Sequence, residues 1–398
     1  MRLTSQARSS NGFWIYATIF TLVMVVSSTP SPLYPLYQEQ FGFSASVLTA
    51  VFAIYVVGML AAMLSAGSLS DYIGRKPVLR IGIALIVVAT VVFALAASTP
   101  WLLVARAVQG IGTGLVAATT AAGALDTNLP NHPDAAAIAS NVAPSLGLST
   151  GGLLAGFFVE FLPWPMHLVW WVLVVVLLGC LAAVARLSET SPLHDGALRS
   201  LKPTVGIPAH LRSRFMIAIP AWAACWGLGG IYLALGTSMV KSVLNIDNAL
   251  VGGLAISALW IPGMAAPFIA RSWPYLRMMV LGTLALGLAT AGMVLSFRAV
   301  EAVPFFLSTA VMGFGFGILQ TSSYGMVTAH IRDGERGAVV SAFYTINYVS
   351  FSVPAVVAGF LTERLGLLRA SEIAAGWILL LCVLALIGIT SKRDLIKR

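Results

Sequence analysis

Gly67-Ser68-Leu69-Ser70-Asp71-Tyr72-Ile73-Gly74-Arg75-Lys76-Pro77-Val78-Leu79 separates two long apolar runs, 45–66 and 78–98. Each run has the roughly 20 residues a helix needs to cross the hydrocarbon core of a bilayer. The stretch between them is short, polar and rich in glycine, and it carries one acid followed by two bases. Glycine there allows tight turns and close backbone approach. Such a segment reads as the connection between two membrane-crossing helices, at the face where charges can stay wet.

The same reading extends outward to the whole chain. Apolar runs at about 12–36, 45–66, 78–98, 101–124, 136–160, 166–187, 214–238, 249–269, 277–297, 302–328, 338–362 and 370–390 make twelve expected spans. The 398 residues are 59% hydrophobic and 9% charged. A soluble domain carries about 25% charged residues, so this chain could not cover a water-facing surface. Residues 1–11 and the run after them resemble a signal peptide in length, but Ser27-Ser28-Thr29-Pro30 offers no small-x-small cleavage site, so they are read as an uncleaved first helix. Cys180, Cys225 and Cys382 each fall within an apolar run, without metal-ligand spacing, and are expected to be small buried hydrophobes.

Charge tests the topology. With the N-terminus placed in the cytoplasm, 18 of the 23 Lys and Arg fall in inside segments. Lys241, Arg298, Arg364 and Arg369 fall outside, and Arg106 alone lies within a span. This bias predicts a multi-pass protein with both termini cytoplasmic, and the plasma (inner) membrane is its expected location. The net charge of +9 therefore belongs to membrane orientation. Without a basic patch interleaved with aromatics, nucleic acid is not expected as a partner.

The chain also repeats itself. Val108-Gln109-Gly110-Ile111-Gly112-Thr113-Gly114 recurs as Val311-Met312-Gly313-Phe314-Gly315-Phe316-Gly317, 203 positions later. The same offset brings Ala155-Gly156-Phe157 onto Ala358-Gly359-Phe360 and Glu160 onto Glu363. Six spans per repeat make the halves parallel, an arrangement that puts a substrate site between them near mid-membrane. The expected domains are an N-terminal six-helix bundle (1–187), a cytoplasmic linker (188–213) and a C-terminal six-helix bundle (214–398).

Residues 67–79 resemble the loop signature of the major facilitator superfamily, G-x-L-S-D-x-x-G-R-[RK]-x-x-L. Arg106, Gln109, Gly110 and Gly112 resemble the fourth-helix pattern R-x-x-Q-G-x-G of that family. Residues 147–156 resemble its fifth-helix antiporter pattern, with Gly152 in place of the proline and Ala155 in place of one glycine. The resemblance implies an all-α fold of two pseudo-symmetric six-helix bundles and transport by alternating access. It implies that Gly67, Asp71, Gly74, Arg75 and Lys76 form a conformational latch, with Asp71 gripping the start of helix eleven near Gly337. It further implies that Arg106, beside Gln109, serves coupling or gating, although snorkelling to the nearer face is the plainer alternative.

Pro30, Pro32 and Pro35 remove backbone donors from the first helix. Carbonyls freed that way are tolerated in a membrane only where protein or a cavity satisfies them, so a bent, polar, cavity-facing segment is expected. By family analogy helices one, four, seven and ten line the cavity, with helix eleven beside them. Their candidate substrate residues are Ser28, Tyr34, Thr113, Trp222, Trp226, Tyr232, Gln320, Tyr324, Tyr344, Asn347 and Tyr348. Aromatics with few charges suit an amphipathic, weakly charged or cationic solute. Gly110, Gly112 and Gly114 and their repeat mates are expected to let helices approach closely.

All fourteen acids lie in loops or at helix ends. The proton-carrying candidates are Asp71, Asp126, Glu160, Glu363 and His167. Glu160 and Glu363 also read as interfacial charges and His167 as a packed neutral side chain. No HExxH, GxSxG or intramembrane acid pair is present, so an enzyme is not expected, nor is a metal or cofactor. The expected function is secondary transport of a small organic molecule by a functional monomer, with a proton gradient as energy source and efflux as its direction. An importer or uniporter of a metabolite is the alternative.

Overall fold

The structure, a computed structural model, describes residues 2–127, 135–191, 193–201, 205–332 and 334–396. Asp134, Lys202, Asp333, Lys397 and Arg398, counted above, lie outside the described residues. In chain order the α-helices are α1 (Arg2–Ser28), α2 (Pro30–Phe41), α3 (Ala45–Ala66), α4 (Leu69–Ile73), α5 (Arg75–Ala94), α6 (Thr99–Asp126), α7 (Ala135–Phe161), α8 (Pro165–Ala185) and α9 (Ala197–Ser200). They continue with α10 (Arg212–Ser242), α11 (Ala249–Ile269), α12 (Tyr275–Ala299), α13 (Ala302–Thr328), α14 (Arg336–Leu365) and α15 (Leu367–Ser391). Among the described residues, twelve helical stretches are long and apolar enough to cross a bilayer, α1 and α2 forming one of them, and the protein is a multi-pass membrane protein.

The first span runs further than its prolines imply. Thr29 stays in the right-handed helical region, with φ −49° and ψ −38°, and its N–H donates to Val25 O at 3.1 Å. The helix therefore continues across the junction of α1 and α2 to Phe41. The third span starts three residues earlier than read from hydropathy, because Gly74, at φ +107°, turns the chain sharply into α5.

The chain divides into two compact units, residues 1–42 with 54–203, and residues 43–53 with 204–398. The division falls inside the expected linker. The first turns of α3 count with the second unit for identifiable reasons. The Ser46 hydroxyl bonds the Glu363 carboxylate, Phe52 packs on Phe351 with ring centroids 5.3 Å apart, and Gly359 lies against Thr49.

Helix pairings repeat within the units. In the first unit α1 packs on α7, and α5 packs on α6 and α8; in the second α10 packs on α14, and α12 packs on α13 and α15. The glycines found by the repeat make these approaches possible. A Cβ on Gly110 would stand 2.1 Å from Tyr55 O, and one on Gly313 would stand 2.1 Å from Leu259 O. Gly112 faces Gly82 O, and Gly315 faces Gly282 O, at 2.7 and 2.8 Å on the same measure. Burial sorts the helices. The most apolar windows of the spans over Asn11–Phe41, Thr99–Asp126 and Ala209–Ser242 are 61%, 67% and 72% buried, against 33% for α8 and 28% for α15, so α8 and α15 are the least enclosed.

Candidate functional site

The first site is built on a missing backbone donor. Pro30 has no N–H to return to Val26 O, and in lipid that carbonyl needs another partner. Gln109 supplies it from α6, its Nε2 donating at 3.0 Å. One helical turn away, Arg106 donates to Ser27 O at 3.0 Å and to Gln109 Oε1 at 2.7 Å. Its Nε and second terminal nitrogen both donate to the Tyr34 hydroxyl, at 3.0 and 2.6 Å. The guanidinium also lies over the rings of Tyr55 and Tyr34, 5.0 and 5.6 Å from their centroids. Arg106 is 1% exposed, which rules out snorkelling. Its charge is met by neutral oxygens and ring faces. α2 is fixed in turn through Tyr37, whose hydroxyl accepts from Trp170 Nε1 at 2.9 Å.

The same stretch of α1 is gripped from a second side. Cβ atoms on Gly147 and Gly151 would stand 2.4 Å from Thr21 O and 2.2 Å from Val25 O. These are the glycines of the fifth-helix pattern, and they press α7 onto α1 just below the carbonyls held by α6. Ser28, expected in the cavity, instead turns to this interface; its hydroxyl donates back to Val25 O and lies against Gly151. Thr113 is fully buried.

The 67–79 loop forms a charge cluster of its own. Arg75, 5% exposed, pairs with Asp71 at 2.5 Å and Asp126 at 3.0 Å, and donates to the Ser70 hydroxyl at 2.6 Å. Glu189, from the segment after α8, accepts the first two amides of α5, Arg75 N at 2.8 Å and Lys76 N at 3.1 Å. It also accepts from Thr190 N and Ser191 N. Partial burial favours its neutral form, but these four N–H bonds outweigh that and hold its carboxyl below the usual range. Gly74 is required there, since a Cβ would stand 2.7 Å from Glu189 Oε2 at a positive φ. Thr190 donates to Asp126, and Ser191 and His194 N to Asp71 O, strapping the linker's first turn to the loop. Lys76 reaches Ala185 O at 3.4 Å. Gly67 packs on its own helix, against Met63 O. Neither Glu189 nor the role of Asp126 is marked in sequence, beyond both being acids at helix ends on one side.

The second unit holds an aromatic assembly across α10, α11, α13 and α14. Trp222 meets Phe343 edge-on at 5.0 Å, and Tyr324 tilts onto Phe343 at 4.5 Å. Trp226 contacts Tyr348 and Phe351, both at 5.6 Å, and Tyr344 stacks on Tyr348 at 6.0 Å. Trp260 and Phe316, neither singled out from sequence, complete it at 5.3 Å. A hydropathy reading sees them only as two more apolar residues. The assembly gathers Trp222, Trp226, Tyr324, Tyr344 and Tyr348; Gln320 and Asn347 belong to the same faces of α13 and α14. Tyr232 stands apart. It stacks on Phe305 and shares its hydroxyl with Thr309 at 2.8 Å, so it is a packing residue between α10 and α13. His167 Nδ1 donates to Ala94 O at 2.7 Å, as a packed histidine does.

Among the described residues, twelve apolar helices in two units with repeated pairings, a charged loop after the second span and an arginine buried inside a span define a membrane transporter of the twelve-helix class. The chain belongs to the Major Facilitator Superfamily, whose profile matches residues 16–355. Over 80 residues it is 41% identical to multidrug resistance protein MdtL of Klebsiella pneumoniae (strain 342), a match covering 20% of each chain. Over 241 residues it is 25% identical to inner membrane transport protein YnfM of Escherichia coli (strain K12), covering 57% of this chain and 55% of that one. The matches thus span a fifth to about half the length of these relatives. A solved peptide transporter, POT in complex with alafosfalin, shares the fold with a TM-score of 0.77 at 16% identity, over 98% of this chain and 96% of that one. The human organic anion transporter MFSD10 does so with a TM-score of 0.68 at 16% identity, over 95% and 99%.

Proposed function

We propose that this transporter exports a small organic molecule in exchange for protons, working by alternating access as a monomer in the plasma (inner) membrane with both termini cytoplasmic. The observation that carries the reading is the Val25–Ser28 stretch of α1. It is held from α6 by Arg106 and Gln109 and from α7 by Gly151, at the point where Pro30 has removed a backbone bond. A helix weakened at one point and clamped on two sides is a place where a small local change becomes a bend. The likeness to a multidrug resistance protein supports efflux as the direction.

The proton is assigned to an acid at a helix end, since none lies deep in a span. Asp71 and Asp126 are the foremost candidates. They share one buried cation, Arg75, so loading a proton on either weakens a pair that closes the 67–79 loop. The loop then serves as the latch that the family resemblance implies.

The test uses everted membrane vesicles energised to an acidic interior and an acid-trapped acridine dye. Two-ring neutral, cationic and anionic solutes are added in turn. At least one is expected to release dye fluorescence as protons leave, with the response lost in Arg106→Leu and in Asp71→Asn. Movement of these solutes at the same rate with and without a protonophore would overturn the exchange mechanism. Solute uptake driven in the opposite sense would favour an importer.

A further inference from the structure

α13 and α14 of the second unit each turn one mixed face to the same space. Phe316, Gln320 and Tyr324 follow one another at four-residue steps on α13, as do Phe343, Asn347 and Phe351 on α14; each set shares a face. The two faces meet at both ends. Tyr324 and Phe343 close one end at 4.5 Å. Trp226 bridges the other, 6.3 Å from Phe316 and 5.6 Å from Phe351. Gln320 and Asn347 are the middle residues, so they stand at one level between two aromatic closures.

Neither amide is fully spent. Asn347 is completely buried, yet its Oδ1 and Nδ2 both lack a partner among the described residues. Gln320 Oε1 and the indole N–H groups of Trp226 and Trp260 are in the same condition. Buried polar atoms are nearly always paired. The two amides stand at the middle level and the Trp226 and Trp260 indoles toward the Phe316 end, and these donors and acceptors are left for an added group to answer.

We propose that this face binds the uncharged core of the transported solute: a planar aromatic group bearing an amide or an equivalent adjacent donor and acceptor. This rests on the transport reading above and narrows its substrate class. The chemistry discriminates among alternatives. An ammonium offers no acceptor, so three donors (Asn347 Nδ2 and the two indoles) would stay unpaired against it. A carboxylate offers no donor, so Asn347 Oδ1 and Gln320 Oε1 would stay unpaired. An amide satisfies both kinds, and its flanking rings stack on the aromatic walls.

Four matched two-ring probes test this on the purified full-length protein, by quenching of tryptophan fluorescence without any ion gradient. They are benzanilide (amide link), dibenzylammonium (cationic link), 2-benzylbenzoate (anionic) and bibenzyl (hydrocarbon link). Benzanilide is expected to bind about tenfold tighter than each of the others. Asn347→Leu and Gln320→Leu are each expected to weaken benzanilide about tenfold and to leave bibenzyl unchanged, which also certifies that the variant is folded. If Asn347→Leu does not fold, Gln320→Leu decides alone. Dibenzylammonium or 2-benzylbenzoate binding as tightly as benzanilide would overturn the proposal, as would folded variants that bind benzanilide like the parent. Because no gradient is involved, failure here is distinct from failure of proton exchange.

Discussion

Arg106 sets the energetics at the scale of single residues. Burying an ion costs several kcal/mol unless its surroundings answer it. Here the answer is four hydrogen bonds to neutral acceptors and the faces of two tyrosines. Hydrogen bonds to charged groups contribute about 1.5–3 kcal/mol each. Tyr34→Phe removes the acceptor of two of them, and we expect a loss of about 2 kcal/mol, read as a lower melting temperature of the detergent-solubilised protein. An unchanged melt would mean that Tyr34 does not hold the guanidinium. Gln109→Leu leaves Val26 O unanswered and is expected to cost about 1–3 kcal/mol. Arg106→Lys keeps the charge but loses the fork, so it is expected to melt between the parent and Arg106→Leu. The Arg106–Gln109 neighbourhood was legible in the sequence, because the two lie three apart on one helix. Their carbonyl partners were not. Which oxygen a proline frees follows from the sequence, but which side chain from another helix reaches it follows from packing.

Close packing and capping decide matters at the scale of whole helices. Gly110→Ala and Gly313→Ala each push a methyl into a facing backbone carbonyl, and we expect comparable losses of thermal stability from the two. Gly376→Ala on α15, where nothing stands within 4 Å, is the control and is expected to be neutral or mildly stabilising. If the two variants that should disrupt packing melted like the control, the repeat would be decorative. The α5 N-terminus depends on Glu189, a cap brought from 114 positions away. Its carboxyl sits below the usual range, so its contribution is present above that range and is lost as pH falls through the lowered folded value. The parent is therefore expected to lose thermal stability on acidification, and Glu189→Gln is expected to flatten that acid limb; equal limbs would contradict the cap. Periodicity revealed the glycine pairs, since both copies carry the same spacing. No pattern announced Glu189, because a long-range cap leaves no local signal. The three prolines predict a bent segment, whereas Thr29 keeps helical geometry and the span continues to Phe41.

For the molecule as a whole, hydropathy was enough to count the spans, because a bilayer imposes a length that few other environments demand. It could not show which distant stretches would group by contact. Residues 43–53 belong by contact to the second unit, through Ser46, Thr49 and Phe52, although α3 is one continuous helix with its remainder in the first. Nor could it choose among the aromatic candidates. Tyr232 and Trp226 look alike in sequence, yet one is locked to Thr309 while the other leaves its indole N–H without a partner among the described residues. The central proposition is that solute and proton cross in exchange. The most direct check is flux of labelled benzanilide in proteoliposomes of the purified protein, under an imposed pH difference that is then reversed. We expect net movement against the solute's own gradient, reversing sign with the pH difference and abolished in Arg106→Leu. Equal rates in both directions, with or without the pH difference, would contradict it.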